Sequence, residues 1–496
     1  MTTSHSILKP ALIIMAGRMF GYVACFAIPI VLVRIFDQAT FGTYKQLFLI
    51  FGTLYGIAQL GMAESLYYFV PERTRRAGRY VFNALIGLAV SGALVATGLW
   101  LFEEQVAAAL NNEMLVGLLP LVGIYVALMM MASVMETVMT ARNRHRLASG
   151  TYATSDLVRA AVSILPVLVV PQLRWLMVWA VAFAAARFAA SIFYLVREFG
   201  AGFKPGGVLV GRQFAYAAPF SVAILIELLQ ANLHLYFVSY HFEPAVFAVY
   251  AVACLQIPVV DFLSQSANNV LMVRMRELMS VGTDAVLQVW NDAIEKLSLL
   301  LFPLVGVLLV TAHEFIAVLF TRDYIEAAPI FMAWTLSFLL AALPADAALR
   351  VYAQTRYLIA INAVRLVLVV ALITLFMRWF GLLGPVLVTL AGMVVFKWMA
   401  LARIASLLKL PAAAMVPWRR VGRIALLAAV AAVPALAVKN SFAFPAFVDL
   451  VLAGLVYGGT YSVLVFTHGQ LAVADKLALT GIVQRPFGAL ARAWRG

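Results

Sequence analysis

Long apolar stretches alternate with short polar segments along almost the whole chain. Most of these stretches are 18 residues or longer and carry few charges, as helices that cross a bilayer do. The pattern predicts fourteen membrane-spanning helices and an all-α polytopic membrane protein. The first stretch is too long for the core of a signal peptide, so we expect it to remain as the first helix. The approximate spans of the predicted helices are 8–33, 45–70, 80–101, 115–140, 148–170, 175–196, 213–239, 246–272, 296–318, 327–349, 357–376, 384–405, 421–438 and 446–467.

The composition agrees with a membrane protein and limits the classes of function. Of the 496 residues, 64% are hydrophobic and 12% are charged, unlike a soluble domain. The net charge of +14 would fit nucleic-acid binding, but the positions of the cations do not. With a cytoplasmic N-terminus, cytoplasmic segments hold 25 of the 36 Lys and Arg residues, outward loops hold six, and predicted helices hold the remaining five. This asymmetry predicts two cytoplasmic termini and contact with anionic lipids, and no nucleic-acid partner.

A short segment after the first predicted helix recurs in the second half of the chain. Residues Phe36–Tyr44 and Phe242–Tyr250 share four of nine residues at an offset of 206. The same offset pairs three further positions: Gln59 with Gln265, Arg159 with Arg365, and Arg197 with Arg403. Because the offset spans six predicted helices, an even number, the two copies should have the same orientation in the membrane. The sequence therefore predicts a duplicated six-helix unit.

This duplication predicts the domain organisation. Residues 1–200 form an N-terminal lobe of helices 1–6, and residues 201–405 form a C-terminal lobe of helices 7–12. Residues 406–470 contain the appended helices 13 and 14, and residues 471–496 form a basic cytoplasmic tail. Cys25 and Cys254 both lie in apolar stretches, so we predict no disulfide framework.

Five cations lie inside predicted helices, where each costs about 2.5–3.5 kcal/mol to insert. Such charges normally face a cavity or a partner, and the arginine fork matches phosphate oxygens. We therefore predict a shared central cavity with positive potential. Alternatively, Arg159 pairs structurally with Asp156, three residues earlier, and Lys397 extends toward the membrane interface. The candidate substrate-binding residues are Arg18, Arg159, Arg187, Arg365 and Lys397.

Polar residues also form stripes at helical spacing. Glu227, Gln230 and His234 share one face of predicted helix 7. Such a stripe indicates either a wet surface or a hydrogen-bond seam between helices. Glu227, near the middle of its helix, is our candidate for binding the coupling ion, together with Asp156 or Asp261.

Three other carboxylates receive simpler interpretations. Asp346 precedes Arg350 by one turn, so the two could pair. Glu64 and Glu136 lie near the predicted cytoplasmic ends of their helices, and we expect both to be solvated.

Motifs of enzymes and metal sites are missing from the sequence. It has no Gly-x-x-x-x-Gly-Lys-Ser/Thr loop, no His-Glu-x-x-His and no Cys-x-x-Cys. The predicted outward loops are short, which argues against a polymerase or glycosyltransferase. We therefore expect a carrier and not an enzyme, with no cofactor and with a proton or sodium gradient as its energy source.

Two segments resemble those of the oligosaccharide and polysaccharide flippases of the multidrug/oligosaccharidyl-lipid/polysaccharide (MOP) exporter superfamily. Phe41, Gly42 and Tyr44 match the family's loop after helix 1, although Phe36-Asp37 replaces the usual Leu-Gly. Residues Leu319–Phe331 resemble the loop between helices 9 and 10, and the two-lobed topology with an extra helix pair also agrees.

The resemblance implies transfer of a polyprenyl-pyrophosphate-linked oligosaccharide across the bacterial inner membrane by alternating access, for surface polysaccharides such as lipopolysaccharide or exopolysaccharide. A polysaccharide polymerase and a chain-length regulator would be further partners. Relatives that flip cell-wall precursors carry an arginine in helix 1 that faces the cavity, and Arg18 matches that placement.

Two rival functions remain open at this stage. A cation-coupled multidrug efflux carrier of the same superfamily would favour a cavity rich in acids and aromatic side chains. A non-transporting scaffold of a glycan assembly complex would tolerate loss of the intramembrane charges.

Overall fold

The computed structural model describes residues 21, 23–71, 76–441 and 444–468, and it contains no strand within these ranges. Among the described helices, nine runs are long and apolar enough to cross a membrane, or eleven if each of two bent pairs counts as one span. One of these runs, Thr355–Leu408, contains two consecutive helices. The chain is thus an all-α, multi-pass membrane protein.

The helices of the first half begin with the short helix α1. They are α1 (Val23–Leu32), α2 (Gln38–Ala58), α3 (Met62–Phe69), α4 (Ala77–Leu101), α5 (Glu103–Ala109), α6 (Leu119–Ala132), α7 (Val134–Ala141), α8 (His145–Val169) and α9 (Leu173–Phe199).

The second half continues this order. Its helices are α10 (Gly207–His241), α11 (Pro244–Ala253), α12 (Pro258–Leu278), α13 (Thr283–Val310), α14 (Ala312–Phe320), α15 (Ala328–Thr335), α16 (Ser337–Leu340), α17 (Ala345–Val351), α18 (Thr355–Phe380), α19 (Gly384–Leu408), α20 (Trp418–Ser441) and α21 (Ala446–Thr467). Short 3₁₀ turns lie at Glu113–Leu115, Gly200–Gly202, Arg322–Ala327, Gly381–Leu383 and Ala412–Met415.

Helix boundaries repeat at the offset that the sequence predicts. Gln38 begins α2 and Pro244 begins α11, 206 residues later, and α4 and α13 begin at the same separation. Asp37 and Glu243 precede α2 and α11 in the same extended backbone conformation. The Asp37 carboxylate accepts a hydrogen bond from the backbone N–H of Thr40 at 2.7 Å, which caps α2. The repeat is therefore visible in the local structure.

Two long apolar segments are broken rather than straight. The α2–α3 pair bends by 43° and the α11–α12 pair by 47°. Gly61 stands at the first bend with a φ of +63°, a conformation that favours glycine. A Cβ at this position would also lie only 2.7 Å from the carbonyl oxygen of Ala217 on α10. Pro258 begins the helix after the second bend, where its missing N–H is tolerated.

The chain divides into two compact units, and each unit is built from three separate segments of the sequence. The first consists of Met1–Phe262, Leu319–Trp334 and Thr355–Phe396, and the second of Leu263–Val318, Thr335–Gln354 and Lys397–Gly496. The predicted lobe boundaries at 200 and 405 remain a prediction.

Within the first unit, the two copies of the repeated segment pack against each other. Gly42 on α2 approaches α11 so closely that a Cβ there would overlap the carbonyl oxygen of Pro244. The ring of Phe41 meets that of Tyr324 edge to face at 5.8 Å, and the Gln38 side chain donates to the carbonyl of Asp323 at 2.7 Å. The two segments that carry the family resemblance therefore contact each other.

Buried polar groups join α2 to α10. The Gln46 amide donates to the Ser239 hydroxyl at 2.7 Å and to the carbonyl of Leu110 at 3.0 Å. Asn112 donates to Thr43 at 2.8 Å and also to Gln46. All four of these side chains are buried, so the seam is fully enclosed.

The glycine-rich connection between α9 and α10 is held by hydrogen bonds to an asparagine side chain. Both backbone groups of Gly206 bond to the buried Asn83 side chain: its N–H donates to Oδ1 and its carbonyl accepts from Nδ2, each at 3.0 Å. An asparagine side chain thus ties this connection to α4.

In the second unit, α20 and α21 pack on α13. The Tyr461 hydroxyl donates to the carbonyl of Leu299 at 3.1 Å. Ion pairs of 2.8 Å stand near both ends of α20: Arg420 with Glu295 and Lys439 with Glu314. The appended helices are therefore attached to this unit by both apolar and ionic contacts.

Candidate functional site

A polar cavity of about 410 Å³ lies within the first unit, among helices that are otherwise apolar. Six helices contribute to its wall: α2, α3, α6, α7, α8 and α9. The residues that line it are Phe51, Tyr55, Gln59, Ala63, Glu64, Tyr67, Met129, Ser133, Thr137, Tyr152, Asp156, Arg159 and Arg187.

Helix breaks place several of these side chains. Tyr55 and Gln59 come before the bend between α2 and α3, and Glu64 and Tyr67 follow it. Ser133 separates α6 from α7 and also lines the cavity. Broken helices at membrane depth are tolerated where they border a cavity, and they commonly form substrate sites in transporters. The local backbone is thus suited to a binding site.

Arg187 reaches the cavity from α9 and is held by Glu136 on α7. Their closest nitrogen–oxygen distance is 2.6 Å, and the Glu136 side chain is completely buried. A second Arg187 nitrogen lies 3.6 Å from the sulfur of Met129. The expectation that Glu136 is solvated is wrong, because the carboxylate lies inside the protein against Arg187.

Arg159 reaches the cavity from α8 and pairs with Asp156 on the same helix at 2.8 Å. The same guanidinium nitrogen donates to the sulfur of Cys25 on α1, also at 2.8 Å. The local pair that the sequence left as an alternative therefore exists. It does not bury Arg159, since both partners also line the cavity.

Aromatic side chains form one side of the cavity. The Phe51 ring lies 5.5 Å from that of Tyr55 and 4.7 Å from that of the buried Tyr125. Tyr67 and Tyr152 complete the aromatic lining. Tyrosine offers both an apolar ring face and a polar hydroxyl, so this wall suits a ligand with both kinds of surface.

The other candidate cations do not line this cavity. Arg365 lies on α18, and its side chain packs over Gly392 on α19, where a Cβ would stand 3.3 Å from its Cγ. Lys397, on α19, lies 3.8 Å from the Asp346 carboxylate and donates to the carbonyl of Leu343 at 2.8 Å. Asp346 therefore pairs with Lys397 rather than with Arg350. Arg18 lies outside the described residues.

The candidate coupling residues lie on three different helices, α8, α10 and α12. Glu227 is exposed on α10, and Asp261 is exposed in the first turn of α12. Asp156 is paired with Arg159. In the described part of the chain, no three His, Cys, Asp or Glu side chains come close enough to hold a metal ion.

The rest of the helix 7 stripe forms a seam. Gln230 is buried and donates to the carbonyl of Asn362. The buried His234 shares a hydrogen bond of 2.8 Å with the Tyr250 hydroxyl. The hydrogen-bond interpretation thus holds for these two side chains but not for the exposed Glu227.

A cluster of charges surrounds Glu198 at the end of α9, and its arginines lie in the connection between α7 and α8. Arg144 pairs with it at 2.8 Å, and Arg142 lies at 3.7 Å. The nearby Tyr194 hydroxyl and the Glu198 carboxylate raise the pKa of the Arg144 guanidinium above its ordinary value. This cluster links the end of α9 to the connection between α7 and α8.

A family model described as "Polysaccharide biosynthesis protein" matches residues 31–329, more than half of the chain. No curated protein sequence matches this chain.

Solved structures with the same fold are transporters. The lipid II flippase MurJ, in an inward-closed conformation, has a TM-score of 0.74 and 10% identity, over 93% of this chain and 99% of that one. An inward-facing multidrug resistance MATE transporter of the MOP superfamily has a TM-score of 0.59 and 12% identity, over 80% and 99%. A MOP superfamily transporter from Pyrococcus furiosus, described as having reverse polarity in its binding pocket, has a TM-score of 0.53 and 13% identity, over 81% and 97%. These likenesses confirm the predicted fold class.

Proposed function

Because this chain belongs to the family of polysaccharide biosynthesis proteins, we propose that it is a flippase for a polyprenyl-pyrophosphate-linked oligosaccharide. It acts in the bacterial inner membrane, with both termini in the cytoplasm, and supplies surface polysaccharide synthesis. A polymerase and a chain-length regulator would use its product. The chain transports its substrate and does not modify it chemically.

The observation that carries this proposal is the polar cavity at the two helix breaks. Its wall combines Arg159 and Arg187 with three tyrosines and Gln59. Ionisable groups at membrane depth are costly and commonly mark a substrate or ion path. A cavity of about 410 Å³ has the volume of a small-molecule site and takes part of a head group while the prenyl tail stays in the lipid.

The paired arginines still have hydrogen bonds to offer. A guanidinium has five N–H donors, and the ion pairs of Arg159 with Asp156 and of Arg187 with Glu136 are each made through the Nη2 atom. These side chains donate to oxygens of the head group. Arg365 and Lys397 do not line the cavity, and Arg18 lies outside the described residues; we assign these three candidates to the pyrophosphate.

Transport proceeds by alternating access driven by a proton or sodium gradient. Glu227 is the proposed coupling carboxylate because it is exposed in the middle of an apolar helix, where charge is costly unless it is used. Asp156 and Asp261 are the alternatives. Binding of the ion shifts the balance between inward- and outward-open states only if it binds one state more tightly.

The test is polysaccharide export in a strain that lacks the native gene. Arg159→Ala and the double variant Glu136→Leu, Arg187→Met, which leaves no unpaired buried charge, should each abolish export while the protein remains in the membrane. Arg174→Ala is the matched control, since Arg174 is exposed outside the cavity. Wild-type export from both cavity variants would rule out this site.

A multidrug efflux carrier is the second candidate function. Tyr55, Tyr67, Tyr152 and the exposed Glu64 on the cavity wall would also suit an organic cation, through ring faces and charge. Loss of drug resistance with intact polysaccharide export in a deletion strain would favour this candidate.

A further inference from the structure

Most charged residues of the cavity wall form ion pairs with residues of opposite charge. Arg159 pairs with Asp156 at 2.8 Å, and Arg187 pairs with the buried Glu136 behind the wall at 2.6 Å. Each arginine thus adds hydrogen-bond donors but little net charge to the cavity. The predicted positive potential is not a property of this part of the chain.

Glu64 is the exception. It lines the cavity from α3 and its side chain is exposed. Among the described residues that line the cavity, it is the one charged side chain that has no ion-pair partner in the described ranges. The described part of the cavity wall, counted with its ion-pair partners, therefore carries one excess negative charge.

The neutral part of the wall suits a sugar ring. Aromatic rings from Tyr55, Tyr67 and Tyr152 offer apolar faces for the C–H side of a pyranose. Hydroxyl groups of a sugar donate to a carboxylate or an amide oxygen, and Glu64 and Gln59 supply these acceptors on either side of the α2–α3 bend.

We propose that this cavity is the subsite for the sugar part of the substrate and that Glu64 restricts it to neutral or amino-bearing sugars. This inference rests on the proposed flippase function and names the substrate class of its site. A uronic acid would place a second carboxylate near Glu64, where the described cavity lining holds no unpaired cation to offset it, and like charges at short range repel. A neutral sugar donates hydroxyl hydrogens to Glu64, and an amino sugar forms an ion pair with it.

The experiment measures equilibrium binding to the purified full-length protein in lipid nanodiscs. Three radiolabelled probes share one polyprenyl pyrophosphate and differ only in the sugar: N-acetylglucosamine, glucosamine or glucuronic acid. The wild-type protein should bind the first two at least about tenfold more tightly than the third. Glu64→Gln should remove this preference by strengthening glucuronate binding about tenfold and weakening glucosamine binding.

Glu104→Gln is the control, because Glu104 is an exposed carboxylate on α5 outside the cavity; it should keep the wild-type order. Equal binding of all three probes by the wild type, or an unchanged preference in Glu64→Gln, would overturn the sugar subsite while leaving the flippase proposal intact. Failure of every probe to bind a monodisperse protein would overturn the flippase proposal itself.

Discussion

Glu136 on α7 and Arg187 on α9 form an ion pair at 2.6 Å, with no part of the Glu136 side chain exposed. The second carboxylate oxygen of Glu136 has no hydrogen-bond partner in the described part of the chain. Removing two charges from solvent costs several kcal/mol per ion, and only the partner offsets this cost. Each residue therefore depends on the other for the counter-charge that makes its burial tolerable.

Loss of one partner should be severe. We expect Glu136→Leu to lower the free energy of unfolding by about 3–5 kcal/mol, because it leaves Arg187 without its counter-charge. The double variant Glu136→Leu, Arg187→Met should recover much of this loss. Denaturant titration of the detergent-solubilised protein provides the measurement.

The exposed pair Arg274–Glu277, at 3.3 Å, is the matched control. Glu277→Ala should change stability by about 0–1 kcal/mol. Equal effects of the Glu136 and Glu277 substitutions would show that burial does not set the strength of the first pair.

Close packing at Gly42 gives a second prediction. Gly42→Ala should destabilise the protein by about 1–3 kcal/mol, the usual range for overpacking, because the new methyl group overlaps the Pro244 carbonyl oxygen. Thermal unfolding followed by tryptophan fluorescence measures the change. Gly98→Ala on α4, where a Cβ meets nothing within 4 Å, should be neutral or stabilising, and the prediction fails if the two variants melt together.

The Asn83 contact predicts a change in protease sensitivity. Asn83→Leu removes both hydrogen bonds to Gly206, so the connection before α10 should open more often. Chymotrypsin should then cleave after Phe203 faster than in the wild type, as mass spectrometry of the fragments would report. Asn440→Leu changes an exposed asparagine and should leave the rate unaltered; an unaltered rate in Asn83→Leu as well would contradict the prediction.

The buried bond between Gln46 and Ser239 should contribute less than the ion pair. Interhelical hydrogen bonds in membrane proteins average about 0.6 kcal/mol, with a maximum near 1.7. A double-mutant cycle of Gln46→Leu and Ser239→Ala isolates this bond from the others that Gln46 makes. A coupling energy equal to or larger than that of Glu136 and Arg187 would contradict our ranking of the two contacts.

Features that depend on neighbours along the chain were predictable from the sequence. The predicted span 446–467 coincides with α21, and the 206-residue offset recurs in the starts of α2 and α11. The Asp156–Arg159 pair, three residues apart on one helix, was among the predicted alternatives. The family match confirms the predicted relation to polysaccharide biosynthesis proteins, and the solved structures confirm the fold.

Features that depend on tertiary contact were not predictable in the same way. Glu136 and Arg187 are 51 residues apart, and the nearness of Glu136 to a helix end does not indicate what surrounds it. The break at Ser133 lies inside an apolar run that shows no interruption in hydropathy. Tyr67 and Tyr152 were missed for the same reason. They lie on different helices, α3 and α8, and only the tertiary packing of these helices places both side chains on the cavity wall.

The contact between Gly42 and Pro244 also bears on how the chain arose. The repeat equivalent of Gly42 is Ala248, and that of Pro244 is Gln38. In a homodimer of the second half built on the same contact, the Ala248 methyl group would take the place of the Gly42 hydrogen and collide with the Pro244 carbonyl. The two copies are thus complementary rather than interchangeable at this contact.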